Sequence, residues 1–71
     1  MNKKLLKSKR ILKYKTQEEF AKALSISHKS YNQKALGKMP FKSDEILKIA
    51  KLLDLTKEDI NKIFFDGKLQ D

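Results

Sequence analysis

Three pairs of neighbouring acids are the first candidates for chemistry in this chain: Glu18-Glu19, Asp44-Glu45 and Glu58-Asp59. Paired carboxylates can serve general acid–base catalysis when a cleft and a shifted pKa support them. Each pair, however, closely follows a Thr or Ser (Thr16, Ser43, Thr56) of the type that caps a helix. All three pairs then fall in first helical turns, where the helix dipole favours negative charge. His28 is the single histidine and there is no cysteine, so the residues of an ordinary zinc site or a thiol nucleophile are lacking. Gly37 and Gly67 stand alone and form no glycine-rich phosphate loop. The expectation is a non-enzyme with no cofactor, metal or small-molecule ligand.

A second group has different chemistry. Lys29 can donate to guanine, and Asn32 or Gln33 can pair with adenine at two points. These residues lie just after the segment Thr16 to Ser27. Thr16 and Glu19 have the spacing of a capping box. Phe20, Ala21 and Leu24 share a helical face, Ser25 interrupts it, and Ser27 can cap the next helix. Two short helices around a turn of about three residues is the arrangement of a helix-turn-helix, which presents its second helix to a DNA major groove.

Charge points the same way. The 71 residues carry a formal +8. Residues 1–38 hold eleven Lys or Arg against Glu18 and Glu19, a balance of +9, while residues 39–71 balance at −1. The basic half contains the two short helices, which suggests a polyanionic partner with nucleic acid first.

The elements that must position these residues are five helices and no strands, expected at about 3–13, 17–24, 28–36, 44–53 and 57–65. Gly37 is placed to end the third in a left-handed cap. Pro40 falls in the loop that follows, Ser43 and Thr56 cap helices four and five, Gly67 ends the fifth, and 68–71 form a loose tail. Helix four is expected to present Ile46, Leu47, Ala50 and Leu53, and helix five Ile60, Ile63 and Phe64. The expected core is Leu6, Ile11, Phe20, Leu24, Ile26, Tyr31, Leu36, Ile46, Ile49, Ala50, Leu53, Leu55, Ile60 and Phe64, with Phe65 exposed or at an interface. All connections are short, so one compact all-α domain spanning 1–71 is expected. The start Met1-Asn2-Lys3-Lys4-Leu5-Leu6 begins like a signal peptide, but Lys7, Lys9 and Arg10 interrupt it. No run reaches the roughly 20 apolar residues of a membrane span. A cytoplasmic protein without membrane association is expected.

Together, Leu6-Lys7-Ser8-Lys9-Arg10-Ile11, Thr16-Gln17-Glu18-Glu19-Phe20-Ala21, Ile26-Ser27, Tyr31 and Gly37-Lys38 resemble the lambda-repressor/Cro-like, or XRE-type, helix-turn-helix superfamily. The stretch from Lys38 through Leu53, followed by Ile63-Phe64-Phe65, is similar to small regulators of phages and prophages of Gram-positive bacteria. The likeness covers about residues 5–66. It implies a lambda-repressor-like five-helix domain in which Gln17 contacts phosphate and braces helix three. It also implies that His28, Lys29, Asn32 and Gln33 face the groove, with Ser27, Ser30 and Lys38 near phosphates. Lys15, Lys34 and Lys42 could add phosphate charge.

Four departures from the family pattern stand out. Ser25 occupies a turn position where glycine is common, and a non-glycine holds a left-handed conformation there at some cost. Ala35 replaces an acid that would pair with Arg10. Lys34 replaces an apolar residue, whose contact Leu36 is expected to supply. The groove-facing surface is rather neutral, with Tyr31 and His28 nearby.

The resemblance implies a Cro-like regulator in a lysis/lysogeny switch, bound to a palindromic operator as a dimer, with Phe65 and Leu69 as candidates for the dimer contact. The alternative is an anti-repressor, or modulator of repression, that binds the phage repressor protein and masks its DNA-reading surface.

Overall fold

The computed structural model describes residues 1–65. The expected helix end at Gly67, the tail 68–71 and the contact at Leu69 lie outside the described residues. Five helices follow in order: α1 (Lys3–Ile11), α2 (Gln17–Ala23), α3 (His28–Ala35), α4 (Ser43–Leu52) and α5 (Lys57–Phe64). No strand occurs among the described residues.

Short polar side chains start these helices. Asn2 Oδ1 accepts from the Leu5 N–H at 3.0 Å, Thr16 Oγ1 from Glu19 at 3.1 Å, and Ser27 Oγ from Ser30 at 3.0 Å. At α5 the exchange is reciprocal: Thr56 Oγ1 accepts from the Asp59 N–H and Asp59 Oδ2 from the Thr56 N–H, both at 3.1 Å. That hydrogen bond from the Thr56 N–H is the main reason the Asp59 carboxyl sits below its ordinary pKa. The capping box expected at Thr16 is half formed, since Glu19 returns no bond to the Thr16 N–H. Helix four also corrects the expectation. Lys42, not Ser43, holds the cap position, and Glu45 Oε1 accepts the Lys42 N–H at 2.8 Å. Ser43 is thereby freed to be the first helical residue.

Three helix ends share one geometry. The residue after the cap adopts a left-handed conformation at Ser25 (φ 62°), Gly37 (φ 83°) and Asp54 (φ 56°). The N–H of the next residue reaches back five positions in each case, Ile26 to Ala21, Lys38 to Gln33 and Leu55 to Ala50, as in a Schellman motif. Only Gly37 does this without a Cβ penalty. Helix α1 ends differently and two residues before the expected 13. Arg10 carbonyl accepts from the N–H groups of both Lys13 and Tyr14, and Arg10 Nη1 donates to the Tyr14 carbonyl at 2.8 Å.

The helices pack α2 on α3, α1 on α5 and α4 on α5. The Asn2 N–H donates to the Ile63 carbonyl at 2.7 Å and ties the start of the described chain to α5. The buried apolar residues are Leu6, Phe20, Ala21, Leu24, Tyr31, Ile49, Leu53 and Ile63. An aromatic ladder runs through them: Tyr14, Phe20, Tyr31, Phe41 and Phe64 follow one another with ring centroids 5.0, 5.4, 6.0 and 5.6 Å apart. Such tilted and edge-on pairs each add about 0.5–1.5 kcal/mol beyond area burial.

Several core expectations are corrected. Ile11 and Leu36 are exposed. Leu47, expected on the inner face of α4, is 69% exposed. The helix is rotated so that Glu45, Ile49 and Leu53, at i, i+4 and i+8, point inward. Ile63 is fully buried and holds the centre of the α5 contact, while Ile60 and Phe64 flank it half-buried.

Candidate nucleic-acid interface

Helix α3 has two chemically different sides. Tyr31 and Lys34 are buried and Ala35 half-buried, all turned toward the bundle. His28 and Lys29 are exposed and Asn32 and Gln33 half-exposed, at spacings of one, three and one, which puts the four on a shared side of the helix. Tyr31 anchors the element. Its ring packs edge-on to Phe20 of α2 and at a tilt against Phe41 of the next loop, so the orientation of the outer side follows from the aromatic ladder.

The remaining sequence-predicted residues fall around this side. Ser27 caps α3, and its hydroxyl is already engaged with the Ser30 N–H. Ser30 is half-buried. Lys38 is exposed directly after the left-handed Gly37, with its own N–H bonded to Gln33. Lys42 is exposed at the start of α4. Gln17, half-buried at the first position of α2, lies beside α1 and the far end of α3 in a small cleft.

Lys34 does not belong to this set. It is 6% exposed, and its Nζ donates to Glu45 Oε2 at 2.6 Å. Burial pushes the Glu45 carboxyl upward, but the bonds from Lys34 and from the Lys42 N–H outweigh it and hold the carboxyl below its ordinary range. The contact Leu36 was expected to make falls instead to Lys34, whose apolar stem passes inward while its charge is neutralised by α4. Sequence reasoning places Glu45 only as a helix-dipole acid. Its position three residues after a cap is the signal for its second bond, but nothing local indicates its partner eleven residues back.

The C-terminal end of α2 is held by Lys48 Nζ, which donates to the Leu24 carbonyl at 3.4 Å. A cation is favoured there by the dipole. Lys9 of α1 approaches Asp59 of α5 at 3.7 Å, and Lys62 pairs with Glu58 at 3.0 Å on the exposed surface of α5. Exposed pairs of this kind contribute little to stability. Among the described residues no group of three or more His, Cys, Asp or Glu side chains converges as a metal site would require, and no helix is long and apolar enough to cross a membrane.

A family model described as "Protein of unknown function (DUF739)" matches residues 2–67. No curated protein matches the chain.

Proposed function

We propose that this chain, which belongs to the DUF739 family, is a small transcriptional regulator that binds operator DNA through α2 and α3 acting as a helix-turn-helix. Support comes above all from the outer side of α3. His28, Lys29, Asn32 and Gln33 share it on an element whose inner side is locked into the core by Tyr31. Base-reading donors on a rigid helix, in the half of the chain with a +9 balance, suit a major groove. Lys29 would donate to guanine, Asn32 or Gln33 would pair with adenine, and Ser27, Ser30, Gln17, Lys38 and Lys42 would contact the backbone. A Cro-like role in a phage or prophage lysis/lysogeny switch, with two chains on a palindrome about 34 Å apart, is the form this takes.

Selection from a random duplex pool near physiological salt tests it. A palindrome should be enriched, and binding to it should be lost when Lys29, Asn32 and Gln33 are changed to Ala. If about six phosphates are neutralised, the slope of log affinity against log salt should be near −5. No enriched motif, or a slope near zero, would sink the proposal.

One feature favours a second reading. Phe65 is 40% exposed beside a groove that also takes in Met39, Phe41 and Phe64. An anti-repressor that masks the DNA-reading surface of a phage repressor would use an apolar surface of this kind. Co-purification with the repressor encoded in the neighbouring open reading frame, lost on Phe65→Ser, would favour it over DNA binding.

A further inference from the structure

Helix α1 carries Lys3, Lys7 and Arg10 at i, i+4 and i+7, one stripe along the helix. The three side chains line a cleft of about 230 Å³ between α1 and α3, closed on one side by Gln17. Tyr31 and Ala35, also one turn apart, form the α3 wall. Among the described residues no acid lines the cleft.

Arg10 gives this cleft its chemistry. The residue is 5% exposed, yet its side chain makes a single hydrogen bond among the described residues, from Nη1 to the Tyr14 carbonyl. Among the described residues no carboxylate pairs with it. A guanidinium offers five N–H donors in a planar fork that suits two oxygens of one oxyanion. A buried charge held by one backbone carbonyl is poorly compensated. Ala35 faces the same cleft, and its methyl group fills little of the space. Tyr31 is buried at 1% exposure in the cleft wall, and its hydroxyl makes no hydrogen bond among the described residues. Burial, opposed by the positive charge of Arg10, raises its pKa to about 12, so it stays a neutral O–H donor near neutral pH.

We propose that this cleft is an oxyanion site that binds a phosphate group. Arg10 is its anchor, Lys3 and Lys7 are its rim charges, and the Tyr31 hydroxyl is its neutral donor. The volume falls below the roughly 300–1,000 Å³ of sites for drug-sized ligands, which suits a small group. Three cations with no acid between them suit a phosphomonoester, which carries about −1.5 to −2 at pH 7, better than a carboxylate. The cleft binds phosphate whether or not α3 reads DNA.

The test is a titration of the full, isotope-labelled chain with inorganic phosphate, exchanged against chloride at constant ionic strength and followed by NMR. Saturable shifts are expected at the Arg10 side-chain N–H and the Tyr31 ring, with the Ile49 amide unmoved. Lys7→Gln should weaken binding about threefold, the scale of one exposed charge. Tyr31→Phe keeps the ring packing, removes one donor to an anion, and should weaken it about tenfold. Ala35→Glu supplies an internal carboxylate to Arg10 and should abolish the phosphate shifts.

Absence of saturation, or equal affinity in both Lys7→Gln and Tyr31→Phe, overturns the proposal even if Ala35→Glu does not fold. Adding duplex DNA to the phosphate-loaded chain separates two sources of the group. Displacement assigns the site to a backbone phosphate. Retained cleft signals assign it to free phosphate or a phosphomonoester. Phosphate saturation in a chain that binds no duplex leaves the site standing and removes the DNA-binding proposal alone.

Discussion

Two cations are buried on either side of Tyr31, and the protein treats them differently. Lys34, between α3 and α4, has a carboxylate of its own chain at 2.6 Å. Arg10, between α1 and α3, has one backbone carbonyl and an open cleft. The first junction is internally complete: charge, counter-charge and the N–H of Lys42 are satisfied together. The second gives the guanidinium one acceptor among the described residues, the Tyr14 carbonyl. A buried charge therefore has two meanings. Neutralised within the chain, it fixes how two helices meet; with no counter-charge among the described residues and a cavity beside it, it is where the proposed anion would fit.

The largest break in this comparison comes from removing the internal counter-charge. Glu45→Ala leaves Lys34 buried and unpaired and should cost about 3–5 kcal/mol. That is close to the whole stability of a small domain, about 5 kcal/mol at the low end, so a thermal melt followed by circular dichroism should show a largely unfolded chain. A melt within a degree or two of the parent would mean that Lys34 escapes to solvent. The second test removes both charges. Lys34→Met combined with Glu45→Leu should stay within about 1 kcal/mol of the parent, because relief of the ion pair's desolvation offsets the lost cap bond from the Lys42 N–H. Urea denaturation measures this, and a loss matching that of Glu45→Ala would show that the pair itself, and not the unpaired charge, sets the stability.

Ser25→Gly touches neither cation and calibrates both results. It relieves the left-handed Ser25 between α2 and α3 and should add about 1 kcal/mol in the same denaturation experiment. A destabilisation would show that the serine side chain outweighs the backbone strain.

The smallest effect is a slope. The Glu45 carboxyl has its folded pKa lowered from the ordinary 4.5, so its contribution is present above about that pH and is lost as pH falls through the lowered folded value. Stability measured from pH 6 downward should therefore fall less steeply in the Lys34→Met, Glu45→Leu variant than in the parent. Asp59, also lowered, contributes the same acid-side loss to both. Parallel curves would remove Glu45 from the acid response.

Much of the fold was legible because its signals are local. Caps at Thr16, Ser27 and Thr56, the left-handed Gly37 and the interruption at Pro40 act within a few residues, and they bracket the helices to within two residues. Burial was less legible. Leu47 and Ile46 are adjacent and equally apolar, yet only the packing of α4 against its neighbours exposes one and half-buries the other. The outer side of α3 followed from helical spacing, whereas the fate of Lys34 did not. A lysine three residues before a helix-ending glycine reads as a solvated charge, and only Glu45 brought across from α4 makes the interior tolerable for it.

By itself the sequence determined what depends on neighbours along the chain: five helices, their caps, the basic half and the group of His28, Lys29, Asn32 and Gln33. Which cations are buried, the match of Lys34 to Glu45, and the place of Arg10 at a cleft with no acid among the described residues all come from how the helices pack. The physical reason is range. Backbone hydrogen bonds and caps close within about four residues, while the cost of a buried charge depends on which distant groups the fold brings within a few ångströms of it.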